Sequence, residues 1–314
     1  MKKLVTLKLT HKCNASCAHC CQFGKNHETM SNQMISLIIG SIANKKICDR
    51  INLTGGEPFF QKETLDYTID RLLSYKLRFS LITNAFWCNT LEVTTKTLKI
   101  FLNKGLISIT VSYDSFHQNF IPIINVKHLL DSCNNLSIPI TLYTVNSKTT
   151  VNQNEIICES LKENFDFEIN SRWFVPVGAA KLLIDDSMYI KIKDTSEYCP
   201  VSNIMTIDPK GFCFPCCSVG AHSNLSFGNI LKNDFETLIE RRNNSLVMLI
   251  LENEGPKGIY YRLPLPVRDK ISNDNITGTC HLCYNIFSVY KIDEISYYCK
   301  RGTLDIIQNI FELN

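Results

Sequence analysis

Alternation between two hydrophobic periods constrains this chain more than any other feature. Strand character recurs at "KLVTLKLT" (3–10), "RINLT" (50–54), "RFSLIT" (78–83), "ISITVS" (107–112), "IPITLYTV" (138–145) and "FEINSRWFV" (167–175). Helical patterns lie between these segments. In "SNQMISLIIGSIANKK" (31–46), Met34, Leu37, Ile38 and Ile42 share one face, and in "KETLDYTIDRLLSYK" (62–76) Leu65, Ile69, Leu72 and Leu73 do so. Six strand–helix alternations require parallel strands joined by right-handed crossovers. Periodicity alone is compatible with an open sheet and with a partial barrel.

The pattern changes after about residue 190. "IMTIDPKGFCF" reads as a β-hairpin turning at Pro-Lys-Gly, and "DFETLIERRNNSLVMLILEN" (234–253) as one helix. An irregular Gly- and Pro-bearing stretch is expected from there to about 279, and "TLDIIQNIFEL" is again amphipathic. The organisation expected is a large α/β domain over 1–190 and a small α+β domain over 191–314.

A net charge of +3 is too small to argue for nucleic acid or an acidic membrane surface as a partner. No apolar run approaches the roughly 20 residues of a membrane span. The basic start "MKKLVTLKLTHKCN" alternates apolar with polar positions and is not followed by a cleavage site. A soluble cytoplasmic protein is expected. Its 15 cysteines are then the telling number, because a reducing cytoplasm does not favour a disulfide scaffold. Clustered thiols in that compartment point to metal.

The first cluster is "CNASCAHC", with Cys13, Cys17 and Cys20 directly after the first strand. Structural zinc takes four protein ligands, and no fourth stands at the usual spacing. Three thiolates on one tight loop suit an iron–sulfur cluster with one iron open. In this the sequence resembles the radical S-adenosylmethionine (SAM) superfamily. The resemblance implies a partial (β/α)6 TIM barrel, a 4Fe-4S cluster on Cys13, Cys17 and Cys20, and SAM on the open iron.

Further stations match that superfamily in order. "GGEP" (Gly55, Gly56, Glu57, Pro58) follows the second strand and implies an edge for the SAM amino group, with Glu57 as its acceptor. Thr83 and Asn84 at the third strand end, and Ser112, Asp114 and His117 at the fourth, imply contacts with the SAM ribose and carboxylate. "PVGAA" resembles the segment lying along the adenine, which implicates Gly178.

In the second half, Cys199, Gly211, Cys216 and Cys280-x2-Cys283 reproduce the ligand pattern of the twitch domain, the shortened SPASM domain. This implies an auxiliary 4Fe-4S cluster on Cys199, Cys216, Cys280 and Cys283. Four ligands would close that site to substrate. Structural zinc on the same four cysteines fits the spacing as an alternative. Eight cysteines remain. Cys21, Cys48, Cys88, Cys133 and Cys158 read as small buried hydrophobes, with Cys213 and Cys299 as substitute ligands. Cys217 differs, because it follows a cluster ligand and should point away from it.

A short chain with one auxiliary cluster and a Cys after its Gly-x4-Cys ligand resembles the YydG-type epipeptide epimerases. The resemblance implies removal of a Cα hydrogen from a ribosomally made precursor peptide and return of hydrogen from Cys217, turning L- into D-residues. A flavodoxin- or ferredoxin-type electron donor is implied as partner. The chain starts directly at its first strand, so no N-terminal peptide-recognition domain is expected. Two alternatives remain at this level: thioether or carbon–carbon crosslinking of a ribosomal peptide, and a non-catalytic iron–sulfur protein.

Overall fold

The computed structural model describes residues 4–21, 27–192, 199, 204–216, 224–271 and 276–312, with side chains described as far as 303. Six parallel strands come first: β1 (Leu4–Lys8), β2 (Arg50–Thr54), β3 (Arg78–Thr83), β4 (Leu106–Ser112), β5 (Ile140–Asn146) and β6 (Glu168–Trp173). Each pairs with the next in sequence order. Between them run α1 (Asn32–Asn44), α2 (Lys62–Ser74), α3 (Leu91–Asn103), α4 (Ile123–Asn135) and α5 (Val151–Lys162). This is the parallel α/β arrangement that the alternating periods predict, in the form of the partial barrel that the resemblance implied.

Local chemistry sets the element ends. Ser31 and Thr90 cap α1 and α3 by accepting from the N–H groups of Met34 and Val93. The helices bury their apolar stripes against one face of the sheet, where Val5, Leu7, Leu53, Leu81 and Val111 pack with Ile38, Ile69 and Leu98. Side chains alternate across a strand, so Thr6, Lys8, Asn52, Thr54, Ser80, Ser108, Thr110 and Ser112 line the opposite face. That concave face is polar. Lys8 is only 2% exposed there, beside Thr54 in the strand register.

The second half does not begin a separate sheet. β7 (Ile204–Ile207) pairs parallel to β1, and β8 (Phe212–Phe214) and β9 (Gly228–Asn229) follow antiparallel, giving one nine-stranded sheet. The β7–β8 hairpin turns over Asp208–Gly211, where Gly211 sits at φ +85 and donates its N–H to the Asp208 carbonyl (2.9 Å). By covering β1, β7 removes an exposed strand edge.

The helix expected over 234–253 is two. α7 (Phe235–Asn243) ends at Asn244, and Ser245 caps α8 (Leu246–Arg262) through the Met248 N–H. The stretch expected to be irregular is largely helical. α8 kinks at Gly255 (φ 69) and resumes at Pro256, whose fixed φ and missing N–H suit a first helical turn. The short α6 (Ala179–Leu183) and α9 (Leu265–Arg268), then α10 (Thr279–Val289) and α11 (Ile292–Glu312), complete the chain. Among the described residues, no helix is long and apolar enough to cross a membrane.

Candidate active site

The C-terminal ends of β1 to β4 converge on the loop that carries Cys13, Cys17 and Cys20. The loop is tightly turned, with the Cys20 N–H on the Cys17 carbonyl (3.0 Å). "GGEP" lies directly against its approach. Gly56 and Glu57 donate their N–H groups to the carbonyls of Thr10 (2.6 Å) and Lys12 (2.9 Å). A Cβ on Gly56 would come within 2.2 Å of the Lys12 carbonyl oxygen, and one on Gly55 within 2.6 Å of that of Thr10. The close approach these glycines permit is therefore to the chain's own backbone, which aims the cysteine loop. Pro58 opens a short 3-10 turn behind it.

Glu57 is fully buried and spends its carboxylate on the protein. It accepts from Thr83 Oγ1 (2.9 Å), the Asn84 N–H (2.7 Å) and the Phe59 N–H (3.1 Å). Burial pushes its pKa up to about 7, against the pull of those donors. A carboxylate has about four acceptor positions, so one remains for a ligand. Asn84 reaches onward, donating from Nδ2 to Asn14 Oδ1 (2.9 Å) and to Cys13 Sγ (3.8 Å). Ala85, next in the chain, takes the left-handed φ of 65 in full burial. Backbone strain of this kind collects at functional sites.

Asp114 is buried as well. Its Oδ1 accepts from His117 Nδ1 (2.8 Å) and the Phe116 N–H (3.0 Å), and its Oδ2 from the Val145 N–H (3.1 Å). His19, from within the cysteine loop, places Nε2 at 3.7 Å from Oδ2. These partners outweigh burial and hold the Asp114 pKa down to about 2. Gly178 (φ 64) closes the loop from the far side: a Cβ there would meet the carbonyl oxygens of Cys20 and Cys21 at 2.6 Å, and the Ala179 N–H binds the Cys20 carbonyl (2.9 Å). Ser112 ends β4, half-buried on the concave face.

The structure thus brings Gly55, Gly56, Glu57, Thr83, Asn84, Asp114 and Gly178 around one cysteine loop. Sequence reasoning missed His19 and Lys8. A histidine between two candidate ligands, and a lysine at an inward position of a core strand, were the available signals. The donor set fits a thiolate-bound cluster, since the Ala15 N–H (3.4 Å) and Asn84 Nδ2 both point at Cys13 Sγ.

The second cysteine set comes from three separate segments. Cys216 follows β8, Cys280 and Cys283 stand one turn apart at the start of α10, and Cys199 hangs its N–H on the Leu251 carbonyl (2.9 Å). Burial first, then the Cys216, Cys280 and Cys199 thiols, raise the Cys283 pKa well above its usual value. Cys217 lies outside the described residues.

The radical SAM superfamily profile matches residues 7–135. Over that segment, which holds the first cysteine loop and "GGEP", the chain is similar to the superfamily. It is 26% identical, across 308 residues, to the putative peptide biosynthesis protein YydG of Bacillus subtilis (strain 168). That match takes in 94% of this chain and 95% of YydG. Among solved structures it is similar to anSMEcpe with bound AdoMet and Kp18Cys peptide (TM-score 0.57, 13% identity), over 98% of this chain and 99% of that one. It is also similar to BtrN in complex with AdoMet and 2-DOIA (TM-score 0.53, 14% identity), over 81% and 88%. At such identities these two likenesses speak for the fold.

Proposed function

We propose that the protein is a radical SAM peptide epimerase that converts L- to D-residues in a ribosomally made precursor peptide. The observation that carries this reading is the similarity, over 94% of the chain, to a putative peptide biosynthesis protein. Residues 1–190 form the unit with Cys13, Cys17 and Cys20 as cluster ligands and the surrounding strand ends as the SAM site. Residues 191–314 form a second unit, with Cys199, Cys216, Cys280 and Cys283 as ligands of an auxiliary 4Fe-4S cluster. A flavodoxin- or ferredoxin-type protein delivers electrons.

Bound at the first loop, cluster and SAM supply a carbon radical able to take hydrogen from an unactivated carbon. The chain's own part is to choose the carbon and the face of return. The polar concave face, with Lys8, Thr54 and Thr110, suits a peptide backbone better than an apolar ligand. A peptidyl Cα that has lost hydrogen is planar, and inversion needs a donor on the opposite side. Cys216 is tied up as a ligand, whereas Cys217 keeps a weak S–H bond. In the donation the S–H bond breaks and a Cα–H bond forms. The sulfur radical left behind then needs one electron and one proton to become a thiol again.

Anaerobic turnover of Cys217→Ala tests this. SAM cleavage should persist while the yield of D-residue collapses, and wild-type product formed in deuterated water should carry one deuterium at each inverted Cα. D-product from the alanine variant at the wild-type rate would remove Cys217 as donor. A product lighter than its substrate by two hydrogens would instead indicate crosslinking.

A further inference from the structure

Lys8 and Asp208 stand side by side on the concave face. β1 and β7 run parallel with Thr6 beside Thr206 and Leu7 beside Ile207, so the next neighbours in register are Lys8 and Asp208. Alternation along each strand puts both on the face of Thr6 and Thr206. They are 2% and 8% exposed. The β7–β8 turn fixes the carboxylate, whose Oδ1 accepts from the N–H groups of Lys210 (3.0 Å) and Phe212 (2.9 Å). Among the described residues, Oδ2 of Asp208 accepts no hydrogen bond, and Lys8 makes neither a hydrogen bond nor an ion pair, with Asp208 or with any other group. Thr206 Oγ1, one pleat away, is likewise buried without a partner.

A buried charge is tolerated where hydrogen bonds replace the water it has lost. Lys8 offers three donors and no acceptor, and Asp208 Oδ2 offers acceptor positions and no donor. Neighbours of opposite charge that do not meet leave room for a group that bridges them. In an extended chain the N–H and C=O of one residue point to the same side, which is how antiparallel strands pair. We propose that Lys8 and Asp208 clamp the backbone of the precursor peptide, Lys8 donating to a carbonyl and Asp208 Oδ2 accepting from an N–H. A substrate carboxylate fits less well, because Asp208 repels it. The clamp reads no side chain, so it fixes where the chain runs and leaves the residue type open. β1 leads into the Cys13 loop and the β7–β8 hairpin leads to Cys216, so the peptide is gripped by the strands that enter both cysteine sets. The clamp rests on the peptide substrate proposed above.

Retention of random-sequence peptides by the reconstituted, SAM-loaded full chain in anaerobic ultrafiltration tests the clamp. The probe pool is N-acetylated and C-amidated and contains no Asp or Glu, so it carries no carboxylate. Lys8→Met and Asp208→Asn should each weaken retention about tenfold, as expected for one charge-assisted hydrogen bond. Lys8→Arg, which keeps the donors, should fall between wild type and Lys8→Met. Iron content and SAM binding should stay at wild-type values in all three. A second pool, N-methylated throughout, lacks the backbone N–H. Wild type should retain it less than the first, and Asp208→Asn should add no further loss. Unchanged retention of the first pool by Lys8→Met and Asp208→Asn would overturn the clamp and leave the peptide substrate standing. So would a loss on the N-methylated pool as large as on the first, or retention confined to a pool with Asp and Glu, which would make Lys8 a carboxylate site. If wild type retained no pool at all, the peptide substrate itself would be at fault and the clamp would fall with it.

Discussion

The two cysteine sets are built in opposite ways. The first is three thiols on eight residues of chain, pinned from four sides by the ends of β1 to β4 and by Gly178. The second gathers four thiols from segments up to 84 residues apart, held mainly by α8, α10 and α11, whose buried residues Val247, Leu251, Ile286, Phe287 and Ile295 form their own core. A site made of consecutive residues needs outside bracing to fix its shape. A site made of distant residues is shaped by the packing of the elements that carry it. The first set is therefore sensitive to its neighbours' backbones, and the second to loss of any one ligand segment.

The largest test separates the sets outright. Reconstituted wild type should hold about eight irons, from two four-iron clusters. Changing Cys13, Cys17 and Cys20 together to Ala should leave about four and abolish SAM cleavage. Changing Cys280 and Cys283 together to Ala should also leave about four, yet spare SAM cleavage. Iron analysis and 5′-deoxyadenosine formation measure both. Zinc in place of four irons in the first of these variants would mean that the second set is a structural zinc site.

The next test strikes the bracing. Gly178→Ala adds a Cβ 2.6 Å from two carbonyl oxygens of the cysteine loop, at a φ of 64 that alanine resists. Overpacking against backbone costs roughly 1–3 kcal/mol, and here the loop is what must move. Iron bound by the first set should fall several-fold, with iron in the second set unchanged. Equal loss from both sets would show that the bracing is not local to the first loop.

What the sequence disclosed follows the same division. β2 and β3 fall at 50–54 and 78–83 as the alternating pattern predicts, because short strands buried on one face leave a clear period of two. The cysteine loop and "GGEP" were legible because their residues are consecutive. The work done by Glu57, Asp114 and Gly178 was not legible. Each is engaged with backbone or side chains from another segment, and that depends on register between strands. The pairing of β7 with β1 was equally hidden, since a hairpin read in isolation carries no mark of which edge it joins. The break of α7 from α8 at Asn244 and Ser245 was visible only as the end of the polar stretch "ERRNNS" before an apolar run.

The smallest expected effects concern two thiols near neither set's geometry as ligands. Cys213 is fully buried in the main core on β8, opposite Ile207 of β7, and burial pushes its pKa up to about 12. Cys299 is fully buried on α11 within the second core, its pKa pushed up to about 11. Both were candidates for substitute ligand, and both are packed as small apolar side chains. Replacing either with Ala deletes one buried heavy atom, which costs about 0.5–1.5 kcal/mol by comparison with Ile→Val changes. Thermal unfolding should shift down by a few degrees, while iron stays at about eight and product formation is unaltered. The comparison turns on Cys299, which lies nearer in sequence to Cys283 than Cys213 does. A Cys299→Ala variant that lost about four irons would make it a ligand and displace one of the four assigned to the second set. Retention of all irons with the modest loss of stability would leave the packing role as its whole function.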